Sequence, residues 1–225
     1  ILGKEGASGG WSHLHFEPNG TEGAEAGLIN GYPFVVEAYL NAHPNALLAN
    51  ARPHRIAAAG EPVVLSGEHS ICQGGEILSY AWDLTNGEKA EGPTVEMTYD
   101  KPGVYSEILR VKDNRGREDV DFAVVQVFAA DNQGEALPPA VNVTYWPTFG
   151  NKPNSEVFFK ARTFRVQGGK ELWDFGDGTH GETESLNEYA TISHHYKEPG
   201  MYIVTVQRTS DNGYTAMARV KVIVE

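Results

Sequence analysis

The sequence predicts a mostly β protein, built from two tandem antiparallel β-sandwiches after a short N-terminal segment of strand, loop and helix. Three observations indicate this: a long internal repeat, apolar residues that alternate with polar ones, and turn residues about every 8–12 positions. Apolar residues make up 40% and aromatic residues 10% of the 225 positions, which is sufficient for packed cores.

The repeat covers most of the chain. YAWDLTNGE (Tyr80–Glu88) matches ELWDFGDGT (Glu171–Thr179), and TYDKPGVYSEILRVKDNRG (Thr98–Gly116) matches HYKEPGMYIVTVQRTSDNG (His195–Gly213). The second copy is six residues longer, around Glu182–Ser193, and we predict a loop there. The matched landmarks are Trp82 with Trp173, Asp83 with Asp174, Tyr99 with Tyr196, and Tyr105 with Tyr202.

Each copy has the pattern of antiparallel strands. In the second copy Tyr202, Val204 and Val206 alternate with residues of the opposite face, and a period of two predicts a strand with one buried side. The pairs Asn86-Gly87 and Asp177-Gly178 favour tight hairpin turns, because both accept a positive φ angle. Trp82 and Trp173 are predicted to lie between the two sheets of their sandwiches.

These motifs resemble the PKD (polycystic kidney disease) domain, an immunoglobulin-like β-sandwich. The resemblance covers about residues 51 to 225, and it implies the fold more strongly than any function. Leu84-Thr85-Asn86 replaces the usual Phe-Gly-Asp in the first copy, so that turn lacks a carboxylate. We place the first sandwich at residues 51–130. A short polar linker and the second sandwich occupy residues 131–225.

The first fifty residues form a separate N-terminal segment. A helix is predicted near residues 33–43, because apolar residues recur there with helical spacing between Pro33 and Pro44. The segment is too short to bury a core of its own.

The stretch GGWSHLHFE (Gly9–Glu17) resembles the closing motif of the lysostaphin-like zinc endopeptidases. The resemblance implies that His13 assists catalysis and that His15 binds zinc. That family also uses an upstream histidine and aspartate, and the twelve residues before His13 contain neither. The segment is therefore the tail of a longer peptidase, a degenerate remnant or a chance match. We favour the first interpretation.

Other residues have a candidate function and a plainer structural interpretation. Asp174 and Asp177, with the glutamates 182, 184 and 188, could bind calcium through carboxylate oxygens, or Asp177 could simply hold its turn. Tyr145 and Trp146 are candidates for stacking on a sugar or gripping a partner. The adjacent His194 and His195 point to opposite faces of a strand, which favours a structural role.

The formal net charge of −12 argues against partners such as nucleic acid or an anionic membrane surface, and no apolar run is long enough for membrane insertion. The sequence favours a non-catalytic accessory module of an exported bacterial protein, extracellular, at the cell surface or periplasmic. Its expected partner is a cell-surface polymer, polysaccharide or protein. The alternatives are the end of a zinc endopeptidase and a self-associating subunit of an extracellular rod or fibre.

Overall fold

The computed structural model describes residues 19–20, 27–28, 32–130, 138–185 and 189–225, with side chains from residue 34 onward. The chain divides into two units at residue 46. In the first unit, β1 (Asn19–Gly20) pairs with β2 (Gly27–Leu28), and α1 spans Tyr32–Ala42, close to the predicted position. No helix in the described ranges is long and apolar enough to cross a membrane.

The first sandwich begins the second unit and follows the predicted antiparallel pattern. β5 pairs with β9 on one side, while β7, β10 and β11 form the body of the opposing sheet. β4 pairs in parallel with β11, at the edge of that sheet. The strands are β3 (Leu47–Leu48), β4 (Arg55–Ala58), β5 (Pro62–Ser66), β6 (Ile71–Cys72), β7 (Ile77–Asp83), β8 (Lys89–Glu91), β9 (Thr94–Thr98), β10 (Gly103–Asp113) and β11 (Glu118–Phe128).

The second sandwich repeats this arrangement with one change of sheet. β12, β13 and β16 form one sheet, and β14, β15, β17 and β18 lie in the other. Its first strand, β12, pairs antiparallel with β13, whereas β4 of the first sandwich joins the opposite sheet. The strands are β12 (Ala140–Trp146), β13 (Glu156–Phe164), β14 (Glu171–Asp174), β15 (His180–Thr183), β16 (Ala190–His195), β17 (Gly200–Thr209) and β18 (Thr215–Val224).

The loop predicted at Glu182–Ser193 is shorter than expected. Glu182 and Thr183 continue β15, and β16 already starts at Ala190. The insertion of the second copy therefore lengthens the strands on both sides of the loop as well as the loop itself. Pairing with β13 satisfies the backbone of β16, which explains why the strand extends this far.

Each sandwich has its own core around the predicted tryptophan. Trp82 and Trp173 are both only 1% exposed, which confirms their place between the sheets. In the second core the ring of Phe159 lies 5.8 Å from that of Trp173 and 5.5 Å from that of Phe175. Such tilted aromatic pairs stabilise a core beyond the area they bury.

The two sandwiches also meet through a shared sheet, a feature that sequence analysis did not predict. β10 and β18 pair in parallel at Gly103–Val104 and Thr215–Ala216, which joins the larger sheets of both sandwiches into one. The predicted connection between the copies was the linker alone, and residues 131–137 of that linker lie outside the described ranges.

Candidate functional site

An exposed aromatic surface lies on the outer side of the sheet formed by β12, β13 and β16. Trp146 of β12 is directly opposite Phe158 of β13 in the antiparallel register, so both side chains share one side of the sheet. Their exposed fractions are 49% and 43%. Opposed residues have Cβ atoms about 5 Å apart, so the two rings form adjacent parts of one surface. We call this surface, made of Trp146, Phe158, Lys160, Arg162 and Tyr189, the aromatic face.

Two cations hold the far end of the aromatic face. The Nζ atom of Lys160 lies 4.2 Å from the ring centre of Tyr189, and the guanidinium carbon of Arg162 lies 5.7 Å from the same centre. Arg162 also covers the ring of Phe164 at 4.9 Å. These distances are within the range of cation–π attraction, so Tyr189 is held in place while remaining 48% exposed.

The aromatic face is elongated along the strands. A strand rises about 3.3 Å per residue, so Arg162 lies about 13 Å from Phe158 along β13. We call the pair of Trp146 and Phe158 the first aromatic station and Tyr189 the second. The two stations lie at different positions along the strand direction. This arrangement suits contact with an extended chain better than capture of a small molecule, which normally requires a concave pocket.

The structure separates the two predicted ligand-binding aromatics. Tyr145 points to the opposite side of the sheet from Trp146, where it is half-buried against the core. Its hydroxyl donates a hydrogen bond of 2.8 Å to the backbone oxygen of Lys221, and burial raises the pKa of Tyr145. Of the two residues, Trp146 is therefore the one available to a ligand. Phe158 was not predicted as a site residue, although its position two residues before Lys160 places both on one side of a strand.

The corresponding sheet of the first sandwich carries no such surface. β5 and β9 read PVVLS and TVEMT, without an aromatic residue, and Val64 is opposite Glu96 in the register. Because β4 has joined the other sheet, there is also no strand in the position of β12. The aromatic face is therefore specific to the second sandwich within the described ranges.

The predicted calcium ligands hold a turn. Asp174 Oδ1 accepts a hydrogen bond of 2.8 Å from the Gly176 backbone nitrogen, and Asp177 Oδ1 accepts one of 3.0 Å from that of Thr179. The other oxygen of Asp177 lies 2.7 Å from Nε2 of His194. Burial acts to raise the pKa of Asp177, but bonds from Thr179 and His194 outweigh it and lower the pKa.

The predicted metal sites remain predictions. The part of the chain that the structure describes contains no group of three or more His, Cys, Asp and Glu side chains that could hold a metal ion. Glu182 is bonded to Lys170 at 3.0 Å, and Glu188 lies outside the described residues. His13 and His15, the predicted catalytic and zinc-binding residues, lie outside them as well.

Buried carboxylates occupy both sandwiches, and each is committed to internal hydrogen bonds. Glu171 accepts bonds from Ser185 and Arg208; although burial acts to raise its pKa, these bonds lower it. Glu107 accepts bonds from Thr85, yet burial still raises its pKa. Both side chains are fully buried, so they stabilise the fold and do not face a substrate. The signal in the sequence was a charged residue at an inward position of a strand.

Comparison with known proteins agrees with the two sandwiches. The family model described as the PKD domain matches residues 41–127 and 155–224. Among curated proteins, the pre-pro-metalloprotease PrtV of Vibrio cholerae is 29% identical over 85 residues. That match covers 38% of this chain and only 9% of the metalloprotease.

Solved PKD structures are also similar to single parts of this chain. The PKD domain of an M14-like peptidase from a Thermoplasmatales archaeon is 23% identical, with a TM-score of 0.34, over 39% of this chain and 95% of that one. The PKD1 domain of the V. cholerae metalloprotease PrtV is 29% identical, with a TM-score of 0.27, over 32% and 94% of the respective chains.

Proposed function

Because the chain belongs to the PKD domain family, we propose that it is a non-catalytic accessory module of an exported bacterial protein, and that it holds this protein on an extracellular polysaccharide. The aromatic face is the observation that carries the proposal. The similarity to a segment of a bacterial metalloprotease supports a place beside a secreted hydrolase.

The exposure of Trp146 and Phe158 supports a binding role. Large aromatic side chains stabilise a protein most when they are buried, and contiguous apolar surface on a monomer is often functional. The inner side of the same sheet supplies residues of the core, and the outer aromatics lie outside that core. Their rings offer a flat apolar surface on which the carbon-hydrogen face of a sugar ring can stack.

The length of the aromatic face favours a polymer as the ligand. Tyr189 is contacted by Lys160 and Arg162, which follow Phe158 by two and four positions, or about 7 and 13 Å along β13. An extended molecule can contact both stations together. Binding at both stations raises the total affinity through effective concentration, even if each contact is weak. Lys160 and Arg162, between and beside the stations, offer donors to the hydroxyl or acidic groups of such a chain.

Binding to polysaccharides tests the proposal directly. The chain would be incubated with an array of insoluble and soluble polysaccharides, including peptidoglycan and chitin, with collagen as a protein alternative. We expect binding to at least one polysaccharide. Trp146→Ala or Phe158→Ala should weaken that binding about thirtyfold, as expected when an aromatic anchor worth about 2 kcal/mol is removed.

Leu172→Ala is a matched control for these variants. Leu172 is an exposed apolar residue of the second sandwich on β14, which lies in the other sheet. Its substitution should leave polysaccharide binding unchanged. Binding to collagen alone would redirect the proposal to a protein partner. Equal affinities for wild type, Trp146→Ala and Phe158→Ala would refute the role of the aromatic face.

A further inference from the structure

The contact between the two sandwiches is built from charges of opposite sign. Lys221 of β18 extends from the second sandwich to the first, where its Nζ atom donates to Asp119 Oδ1 at 2.5 Å and to the backbone oxygen of Val120 at 3.3 Å. Arg219 lies two residues earlier on the same side of β18. Its Nε atom donates to Thr205 Oγ1 at 3.1 Å within the second sandwich. Burial lowers the pKa of Arg219, and the charges of Glu107 and Asp83 in the first sandwich and of Asp174 in the second act to raise it.

The repeat shows that most of these charges are specific to one copy. Asp83 is the exception, because Asp174 occupies its position in the second copy. The registers of β10 with β11 and of β17 with β18 are equivalent, because Tyr105 pairs with Val125 and Tyr202 with Val222. Counting from these pairs gives the residue of the other copy at each charged position. Arg219 corresponds to Phe122, Lys221 to Val124, Glu107 to Val204, and Asp119 to Ala216.

The backbones also approach each other closely at the contact. A Cβ atom at Gly103 would lie 2.5 Å from the backbone oxygen of Thr215, a distance that real Cβ atoms do not adopt. Gly200 is the equivalent residue of the second copy, and a Cβ atom there would meet only the ring of Tyr202, at 3.6 Å. Glycine is therefore required for close packing at Gly103, and not at Gly200.

We infer that this contact, which we call the joint, locks the two sandwiches into one rigid body. The joint is one-way, because its two halves differ and each half lies on only one of the sandwiches. A head-to-tail contact can extend into a fibre only if every unit carries both halves of it. The first sandwich lacks the cations at the positions of Arg219 and Lys221, and the second lacks the acid at the position of Asp119, the ion-pair partner of Lys221. The joint therefore links one pair of sandwiches and cannot repeat to extend a fibre.

Residual dipolar couplings of the full chain test the rigidity, because they report the orientation of each sandwich separately. In the wild type, one alignment tensor should fit both sandwiches. Gly103→Ala should require two tensors, since the new methyl group pushes β10 and β18 apart. Gly200→Ala, the same change at the equivalent turn, should still be fitted by one tensor. Two tensors for the wild type would overturn the inference.

A charge reversal covers the case in which Gly103→Ala fails to fold. Lys221→Glu changes a partly exposed side chain and places a carboxylate beside Asp119, so it should also require two tensors. Lys170→Glu is its control, with the same charge change at an exposed pair within the second sandwich. A single tensor for Lys221→Glu would contradict the locking role of the ion pair.

Sedimentation of the full chain tests the direction of the joint. The wild type should not form chains through this surface at rising concentration. Concentration-dependent chains that Lys221→Glu dissolves and Lys170→Glu leaves intact would overturn the one-way character of the joint. This measurement is independent of polysaccharide binding.

Discussion

Loss of the Arg208 side chain should destabilise the second sandwich strongly, because Arg208 is the charge partner of the fully buried Glu171. Its Nη1 atom donates to Glu171 Oε1 at 2.8 Å, to Thr163 Oγ1 at 2.9 Å and to the backbone oxygen of Ser185 at 3.2 Å. Its Nε atom donates to the backbone oxygen of Gly168 at 3.0 Å. Arg208→Val would remove all four bonds and leave the carboxylate without its cation.

The expected magnitude follows from the burial of this pair. Removing one partner of a buried ion pair costs about 3–5 kcal/mol, mainly because the remaining charge stays desolvated. For a sandwich of this size, the melting temperature should fall by roughly 15 °C or more. In the wild type the pKa of Glu171 is lowered from its ordinary value of 4.5. Its contribution to stability is therefore present above that pH and is lost as the pH falls through the lower value of the folded state.

The first sandwich supplies the matched control for Arg208→Val. At the positions equivalent to Glu171 and Arg208 it carries Tyr80 and Val111, which pair across β7 and β10. The double variant Glu171→Tyr/Arg208→Val transplants this uncharged pair. Replacing both ions by residues that pack well is often close to neutral, so the double variant should recover at least half of the lost stability.

The stability of both variants would be measured by thermal and urea unfolding of the full chain, with the near-ultraviolet signal of the buried tryptophans as the probe. Arg208→Val should also flatten the dependence of stability on pH in the acid range, since Glu171 then loses its main cation. A double variant as unstable as Arg208→Val, or a single variant within about 1 kcal/mol of wild type, would refute the assignment of this energy to an uncompensated carboxylate.

Two further predictions concern the candidate site and the turn. Tyr145→Phe removes the hydrogen bond to the Lys221 backbone oxygen and should lower the free energy of unfolding by about 1 kcal/mol. Polysaccharide binding should not change, because this ring faces the core, and weakened binding would contradict that orientation. Asp177→Asn should lower the free energy of unfolding by less than about 1 kcal/mol at pH 7, since an asparagine can still accept the bond from the Thr179 backbone nitrogen. Asn86 accepts the equivalent bond from the backbone nitrogen of Glu88 in the first copy. Because the pKa of Asp177 is lowered in the folded state, its ionised carboxylate stabilises the fold above about pH 3.8, and this stabilisation is lost on acidification. The free energy of unfolding of the variant should therefore depend less on pH in the acid range.

The aromatic face was only partly predictable. Tyr145 and Trp146 were both predicted as ligand-binding residues, although alternation along a strand implies that adjacent side chains point to opposite sides. Which side faces solvent depends on the opposing sheet, whose residues follow later in the chain. Phe158 and Tyr189 join Trp146 only through the pairing of β12 with β13 and the cation contacts of Lys160 and Arg162.

The sequence by itself determined the two sandwiches, because strand alternation, turn residues and a central tryptophan are local signals that occur in both copies of the repeat. Only the tertiary structure decided how the copies meet. The joint depends on pairs such as Lys221 with Asp119, which lie about a hundred positions apart and have no periodic pattern. A charge on a strand looks the same in sequence whether it faces water or a partner, and the difference comes from the three-dimensional packing that removes water from one side.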